Sequence, residues 1–375
     1  MAKKRILIYA HRTAVIGGVE KVLCTLINNL DMNKYDITLL LHSYYHRDIN
    51  EDKIFGNAVK YRNLGFDLYN RSSKVKLLLQ RIHIKISKPF YSLLYRFKRF
   101  DIAIAFQEGR YAKFIQNVNA KKKYVWVHVD MSRVTFTREF FKGSIPKERK
   151  CYERFDKVVC VSDAVRDSME QTFGPMNNLC VCHNPIDTLD IDKKIKAPLD
   201  VNIKKRPLLV SVGRLCYEKA FDRLLNVIKR LSDDGYVFDF WIIGDGHERP
   251  ILEEQIKHLS LTNVTLLGMK ENPYIYIKEA DWILTLSRHE GFNLVLFESL
   301  YLGKAILSSD FPNAKKVLGD NEYGIVAEND EESIYVELKK ILSDKSLQKK
   351  YEDMALIRKD LIDLNEQINK IEQLF

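Results

Sequence analysis

An apolar run, Trp282-Ile-Leu-Thr-Leu-Ser287, passes into the turn His289-Glu290-Gly291 and then into a stretch with apolar residues at 294, 295, 297, 300 and 302. The run reads as a buried parallel strand, and the spacing after it as a helix packed on a sheet. Glu290 therefore falls in the strand-to-helix turn, and Glu298 falls inside the helix. Open α/β sheets bind ligands outside the carboxyl ends of their parallel strands. A carboxylate and a glycine placed there mark a candidate site for a polyhydroxylated, phosphorylated ligand.

The same rhythm runs through the 375 residues. Strands are expected at 5–9, 36–41, 101–106, 123–128 and 157–161, and again at 207–212, 238–243, 264–267, 282–286 and 305–308. Amphipathic helical stretches alternate with them, as in parallel α/β layers. Each set of five suffices for one doubly wound parallel sheet, and the length accommodates two such domains. The division expected is a first domain over 1–186, a second over 187–355, and a C-terminal helix over 356–375 packing back on the first. A polar, Pro-containing stretch from Cys182 to Asp187, followed by 193–205, has the composition of an interdomain linker.

Composition narrows the class. With 46% hydrophobic and 29% charged residues the chain is globular, and no apolar run approaches the roughly 20 residues of a spanning helix. The N-terminal Lys3-Lys4-Arg5 precedes only five apolar residues, too few for a signal-peptide core, so a first strand is expected there. The six cysteines lack paired metal-ligand spacing and read as reduced thiols of a cytoplasmic protein. Charge is uneven: residues 1–190 hold 33 Lys and Arg against 19 Asp and Glu, so something anionic is expected to meet the first half. Residues 71–100 concentrate this, with nine basic residues, no acid, and interleaved Leu, Ile, Phe and Tyr. That pattern suits an anionic membrane surface; it also suits a helix pair with an apolar core side and a solvated basic side. No recognition motif accompanies the charge, so nucleic acid is not expected.

Three further turns could carry chemistry. Val212-Gly213-Arg214 ends one strand, and Arg214 and Lys219 lie five positions apart in the turn that follows, able to reach one anion. Gly244-Asp245-Gly246 ends another strand, but Arg249 replaces the third glycine of a dinucleotide fingerprint, which disfavours a nicotinamide cofactor. Near the N-terminus, Gly17-Gly18 opens a helix after the first strand, where a backbone could approach a diphosphate.

Together these motifs resemble the retaining GT-B glycosyltransferases, specifically glycosyltransferase family 4. The resemblance covers nearly the whole chain, is strongest over 208–311, and includes the glutamate pair Glu290 and Glu298. It implies GT-B architecture: two Rossmann-like domains facing a cleft, with the nucleotide sugar held mainly by the second. Arg214 and Lys219 then correspond to the residues that neutralise the donor diphosphate. Glu298 corresponds to the ribose-binding carboxylate and Glu290 to the one beside the donor sugar. Gly244, Gly291, Phe292, Asn293 and Leu294 join the donor-binding set, with Gly17 and Gly18 offering backbone donors from the first domain. His128, in Trp126-Val-His-Val-Asp130, matches the family's cleft histidine that touches the donor sugar; the competing reading of a lone histidine at a strand end is a hydrogen-bonded core residue. Two positions depart from the pattern: Ala220 stands for the usual glycine after the phosphate lysine, and Ala305 for the usual proline.

The chemistry expected is metal-independent transfer from a nucleotide sugar, UDP-sugar favoured, with Arg214 and Lys219 meeting the charge on the departing phosphate. The resemblance further implies retention, through same-face attack by the acceptor hydroxyl. The expected acceptor is a glycan or polyprenyl-diphosphate-linked glycan, used by a cytoplasmic protein peripheral on the inner face of the membrane. A hydrolase is disfavoured: glycosidase carboxylates stand about 5–9.5 Å apart, whereas eight residues of helix span about 12 Å. Two rivals share the architecture: a nucleotide-sugar epimerase and a catalytically inert scaffold.

Overall fold

The structure is a computed structural model describing residues 2–11, 17–42, 59–63, 86, 89–202 and 206–375. Most of the basic 71–100 stretch, and residues 203–205 of the expected linker, lie outside the described residues. The chain divides into two compact units, residues 1–185 with 365–375 and residues 186–364.

The first unit is built on a seven-stranded sheet: β1 (Lys4–Ala10), β2 (Tyr35–Leu41), β3 (Lys60–Asn63), β4 (Phe100–Ala105), β5 (Ala120–Val127), β6 (Lys157–Cys160) and β7 (Leu179–Val181). The order is β3-β2-β1-β4-β5-β6-β7, and every pairing is parallel. Ile6, Leu7 and Ile8 of β1 are wholly buried, as a strand covered on both faces requires. The second unit has β8 (Leu208–Val212), β9 (Asp239–Ile243), β10 (Val264–Gly268), β11 (Trp282–Thr285), β12 (Ala305–Ser309) and β13 (Ile325–Ala327). These run β10-β9-β8-β11-β12-β13, again all parallel.

The sheets are wider than the five strands each that the sequence led us to expect. The additions, β3, β7 and β13, are three or four residues long and end their sheets. Such short edge strands carry too few alternations to register as a period.

Helices cover the second sheet by the expected spacing. In the Phe221–Asp233 helix, Leu224, Leu225, Val227, Ile228 and Leu231 are buried, giving one apolar stripe. The linker region is not all irregular: Thr188–Lys194 is a helix whose Asp187 side chain caps the Asp190 amide. The crossing back to the first unit comes later than the expected 356. The Ser346–Arg358 helix stays with the second unit, and only residues 365–375 join the first. There Lys4 Nζ donates to the Phe375 carbonyl at 3.2 Å, and the Phe375 ring meets the edge of Tyr35 at 5.8 Å.

Candidate active site

Strand order in the second sheet reverses between β8 and β11, so the loops after these two strands open to opposite sides and leave a crevice. Lys219 stands on the first loop and Glu290 on the second. Their side chains meet, with Lys219 Nζ 2.5 Å from Glu290 Oε1. The same oxygen accepts from Ser287 Oγ at 2.7 Å and Asn293 Nδ2 at 3.3 Å. Three donors on one partly buried carboxylate oxygen hold Glu290 in a single position. Asn293 also caps the Leu294–Tyr301 helix, accepting from the Leu296 amide at 3.1 Å, so the helix's positive end faces this turn.

A second layer of polar contacts clamps the two loops together. Arg288 makes a bidentate pair with Asp222, Nη1 to Oδ1 at 2.8 Å and Nη2 to Oδ2 at 2.7 Å. It also donates to the Tyr217 carbonyl, lies over the Tyr217 ring at 4.2 Å, and its amide donates to the Glu218 carbonyl. Burial alone would raise the Asp222 carboxyl pKa; hydrogen bonds from Arg288 and the Arg223 amide outweigh this and hold it below the usual range. Arg223, itself buried, donates to the Leu286 carbonyl and to Asn329, which returns a bond to the Arg288 carbonyl. Desolvation lowers the Arg223 pKa, but a guanidinium remains charged.

Glycines set how closely the loops approach. A Cβ on Gly244 would lie 1.9 Å from the Gly213 carbonyl oxygen, and one on Gly246 would lie 2.2 Å from that of Leu215. The Lys219 side chain crosses Gly213, its Cδ 3.2 Å from where a Cβ would be. Gly244, expected among the donor-binding residues, thus has a steric reason for its identity.

Glu298 is buried in the second turn of its helix, 3% exposed, close enough to Tyr274 to add to the rise that burial causes in that hydroxyl's pKa. Phe292 stacks flat on Phe297 at 4.5 Å, so its ring packs within the unit. Gly291 and Leu294 flank the cap. Arg214 is exposed, and among the described residues it makes no hydrogen bond or ion pair. The structure therefore joins Lys219 to Glu290 directly, with Arg214 on the same loop as Lys219.

Gly17, Gly18 and His128 belong to the first unit. Gly17 is the extended N-cap of the Gly18–Asn29 helix, and no side chain caps it. His128 follows β5 and is 7% exposed, its Nε2–H donating to the Phe106 carbonyl at 3.0 Å and its amide to Glu108 at 3.1 Å. Burial pushes its pKa down to about 4, so the imidazole is neutral at pH 7. That group is neutral when folded and protonates near pH 6.5 when unfolded. Its contribution to stability is full above pH 6.5 and disappears as pH falls toward 4, about 3 kcal/mol in all. Glu108, whose pKa burial raises, acts in the opposite direction. We expect the acid slope of urea-unfolding stability between pH 4 and 6.5 to flatten in His128→Gln, which retains the donor to Phe106; an unchanged slope would contradict this.

Two family models cover almost the entire chain: Glycosyltransferase Family 4 matches residues 16–189, and Glycosyl transferases group 1 matches residues 193–356. The chain belongs to glycosyltransferase family 4, with GT-B architecture. A Campylobacter jejuni relative, N-acetylgalactosamine-N,N'-diacetylbacillosaminyl-diphospho-undecaprenol 4-alpha-N-acetylgalactosaminyltransferase, is 32% identical over 216 residues. That match spans 56% of this chain and 58% of the relative. The amylovoran biosynthesis glycosyltransferase AmsD of Erwinia amylovora is 24% identical over 90% of both chains. Among solved structures, Anabaena HepE in complex with UDP and glucose superposes with a TM-score of 0.78 at 14% identity, covering 98% of both chains. Sucrose-phosphate synthase from Thermosynechococcus elongatus gives 0.77 at 14% identity, covering 99% of this chain and 98% of that one.

In this family-4 chain the substitution at 220 has a structural consequence. Ala220 adopts φ 57° and ψ 30°, a left-handed conformation that glycine takes without strain. Relief of that strain opposes the loss of a buried methyl and the greater freedom of an unfolded glycine. Ala220→Gly should therefore shift unfolding by no more than about 1 kcal/mol, whereas Ala220→Val should cost clearly more, both read from urea midpoints. The clamp of Arg288, Asp222, Arg223 and Asn329 was not anticipated from sequence. Asp222 and Arg223 follow Lys219 almost directly, but their partners lie 66 and 106 residues away.

Proposed function

We propose that this enzyme is a retaining glycosyltransferase that moves a hexose or N-acetylhexosamine from a UDP-sugar to a hydroxyl of a lipid-diphosphate-linked glycan. The observation that carries the reading is the meeting of Lys219 and Glu290 at the strand-order reversal of the second sheet. Breaking a sugar–phosphate bond leaves negative charge on the departing diphosphate, and a fixed ammonium stabilises that charge more as it grows. In this reading Lys219 is shared between Glu290 and the β-phosphate, Arg214 supplies a second cation, and the cap amides of residues 291–294 complete the phosphate cradle. Glu290, held by Ser287 and Asn293, faces the sugar, and Glu298 takes the ribose hydroxyls. The cations leave no requirement for a metal. Attack by the acceptor on the face the phosphate leaves, with the phosphate oxygen taking its proton, would retain configuration.

The preference for UDP draws support from the UDP bound in the HepE complex, and the lipid-linked acceptor from the undecaprenol-linked substrate in the Campylobacter relative's name. Incubation with a panel of UDP- and GDP-sugars, with and without chelator, tests the assignment. UDP release from a UDP-sugar, undiminished by chelator and with an α-linked product from an α-donor, is expected. Release of GDP alone, or accumulation of an epimerised donor, would overturn it.

A membrane-facing first unit belongs to the same reading. Residues 89–97 form a helix on which Phe90, Leu93, Leu94 and Phe97 share one exposed face; Phe90 is 60% and Phe97 79% exposed. Arg96, Lys98 and Arg99 are exposed beside it. Apolar insertion beside basic residues suits anionic lipid. Among the described residues no helix is long and apolar enough to cross a membrane. Co-sedimentation should favour anionic over neutral vesicles and weaken in Phe90→Asp/Phe97→Asp; equal recovery with both vesicle types would contradict the reading.

A further inference from the structure

The first sheet has its own strand-order reversal, between β1 and β4, the position at which an open α/β sheet receives ligand. Side chains from three loops converge there. Arg110, at the start of the Arg110–Ile115 helix after β4, donates from Nη1 to Nε2 of His42, which follows β2, at 2.6 Å. A guanidinium only donates, so His42 Nε2 accepts, and Nδ1–H is left to donate to the hydroxyl of Tyr9, at the end of β1, at 2.8 Å. The guanidinium also lies over the Phe140 ring at 4.5 Å. Beside it, the Tyr111 hydroxyl meets His11 Nδ1 at 2.9 Å.

The partners of Arg110 are what distinguish it. It is half-buried, yet among the described residues it has no carboxylate partner. Its contacts are an uncharged imidazole nitrogen and an aromatic face, which fix its orientation without neutralising it. Holding a cation partly out of water without a counter-ion is unfavourable, and binding an anion offsets that cost. Of the five N–H donors of the guanidinium fork, one is used on His42; the remaining ones form a planar array matched to phosphate oxygens. Because the group is already oriented, little side-chain freedom is lost on binding.

We propose that Arg110 is the anion seat of the acceptor side, taking a phosphate oxygen of a phosphorylated acceptor, with Tyr111 and His11 beside it. This rests on the proposed membrane-facing role of the first unit, which puts the lipid-linked acceptor on its side. Calorimetric titration tests it, using two probes on protein saturated with UDP so that the donor site does not compete. The probes are geranyl diphosphate, standing for a lipid-linked acceptor, and inorganic pyrophosphate, standing for free phosphate. In Arg110→Gln, affinity for the bound probe should fall about tenfold or more, with Arg110→Lys intermediate and UDP affinity unchanged. Binding of geranyl diphosphate but not pyrophosphate would assign the site to a lipid-linked phosphate, and equal binding to phosphate as such; each supports an anion seat. The proposal is overturned if the native protein binds neither probe, if Arg110→Gln binds both as tightly as native, or if UDP affinity falls in parallel. Failure of the native protein to bind UDP would instead strike the glycosyltransferase reading.

Discussion

Lys219→Ala is expected to lower the transfer rate by about 10²–10³-fold, the scale at which a single preorganised donor to a developing charge contributes. Two roles of Lys219 have to be separated, because its ammonium is also the cation on Glu290. Removing it leaves a partly buried carboxylate with only Ser287 and Asn293 as donors, a loss of about 1–3 kcal/mol in stability. The double substitution Lys219→Met/Glu290→Gln removes both charges and should recover most of that stability without recovering rate. A double-mutant cycle with parallel urea unfolding and UDP-release kinetics resolves the two. If the double variant regains activity along with stability, Lys219 serves the fold alone, and its assignment to the phosphate fails.

Gly244→Ala should be among the most destabilising single changes in the second unit, at about 4 kcal/mol or more. Its new methyl would stand 1.9 Å from the Gly213 carbonyl oxygen and 2.9 Å from the Gly213 carbonyl carbon. Neither backbone can yield easily. The Gly213 amide donates to the Ile243 carbonyl at 2.9 Å, and the Gly244 amide to the Gly268 carbonyl at 2.9 Å, so relief means parting β8 from β9 at their carboxyl ends. The displaced loop carries Arg214 and Lys219, so nucleotide affinity should fall with stability. Gly235→Ala is the control. It also has positive φ, at 86°, but a Cβ there meets nothing within 4 Å, so only the backbone strain of about 1 kcal/mol applies. Equal urea midpoints for the two variants would show that the backbone crossing at Gly244 is not the constraint described.

These contrasts mark which parts of the molecule could be read from sequence. Central strands such as β1 and β11 were legible because burial on both faces demands unbroken apolar runs. The edge strands β3, β7 and β13 have a neighbour on one side only and are too short to show a pattern. The charged groups proposed to meet the phosphate and the sugar, Lys219 and Glu290, stood out because they sit in turns at strand ends. The residues that position them did not. Arg288 reaches Asp222, and Arg223 reaches Asn329, across large sequence separations, and no local spacing encodes such a clamp. The backbone crossing at Gly244 was not legible either: a glycine demanded by packing looks, in sequence, the same as one that receives a phosphate. His128, expected in the cleft with a core histidine as the competing reading, has a carbonyl partner, deep burial and a neutral ring, none of which its sequence context showed.

The loops after β8 and β11 are proposed to hold the donor diphosphate, and a crystal soaked with UDP would show whether they do. The β-phosphate should lie within hydrogen-bonding distance of Lys219 Nζ, with Arg214 turned toward it and the ribose hydroxyls on Glu298. Phosphates bound away from Lys219, with its ammonium still wholly committed to Glu290, would contradict the assignment.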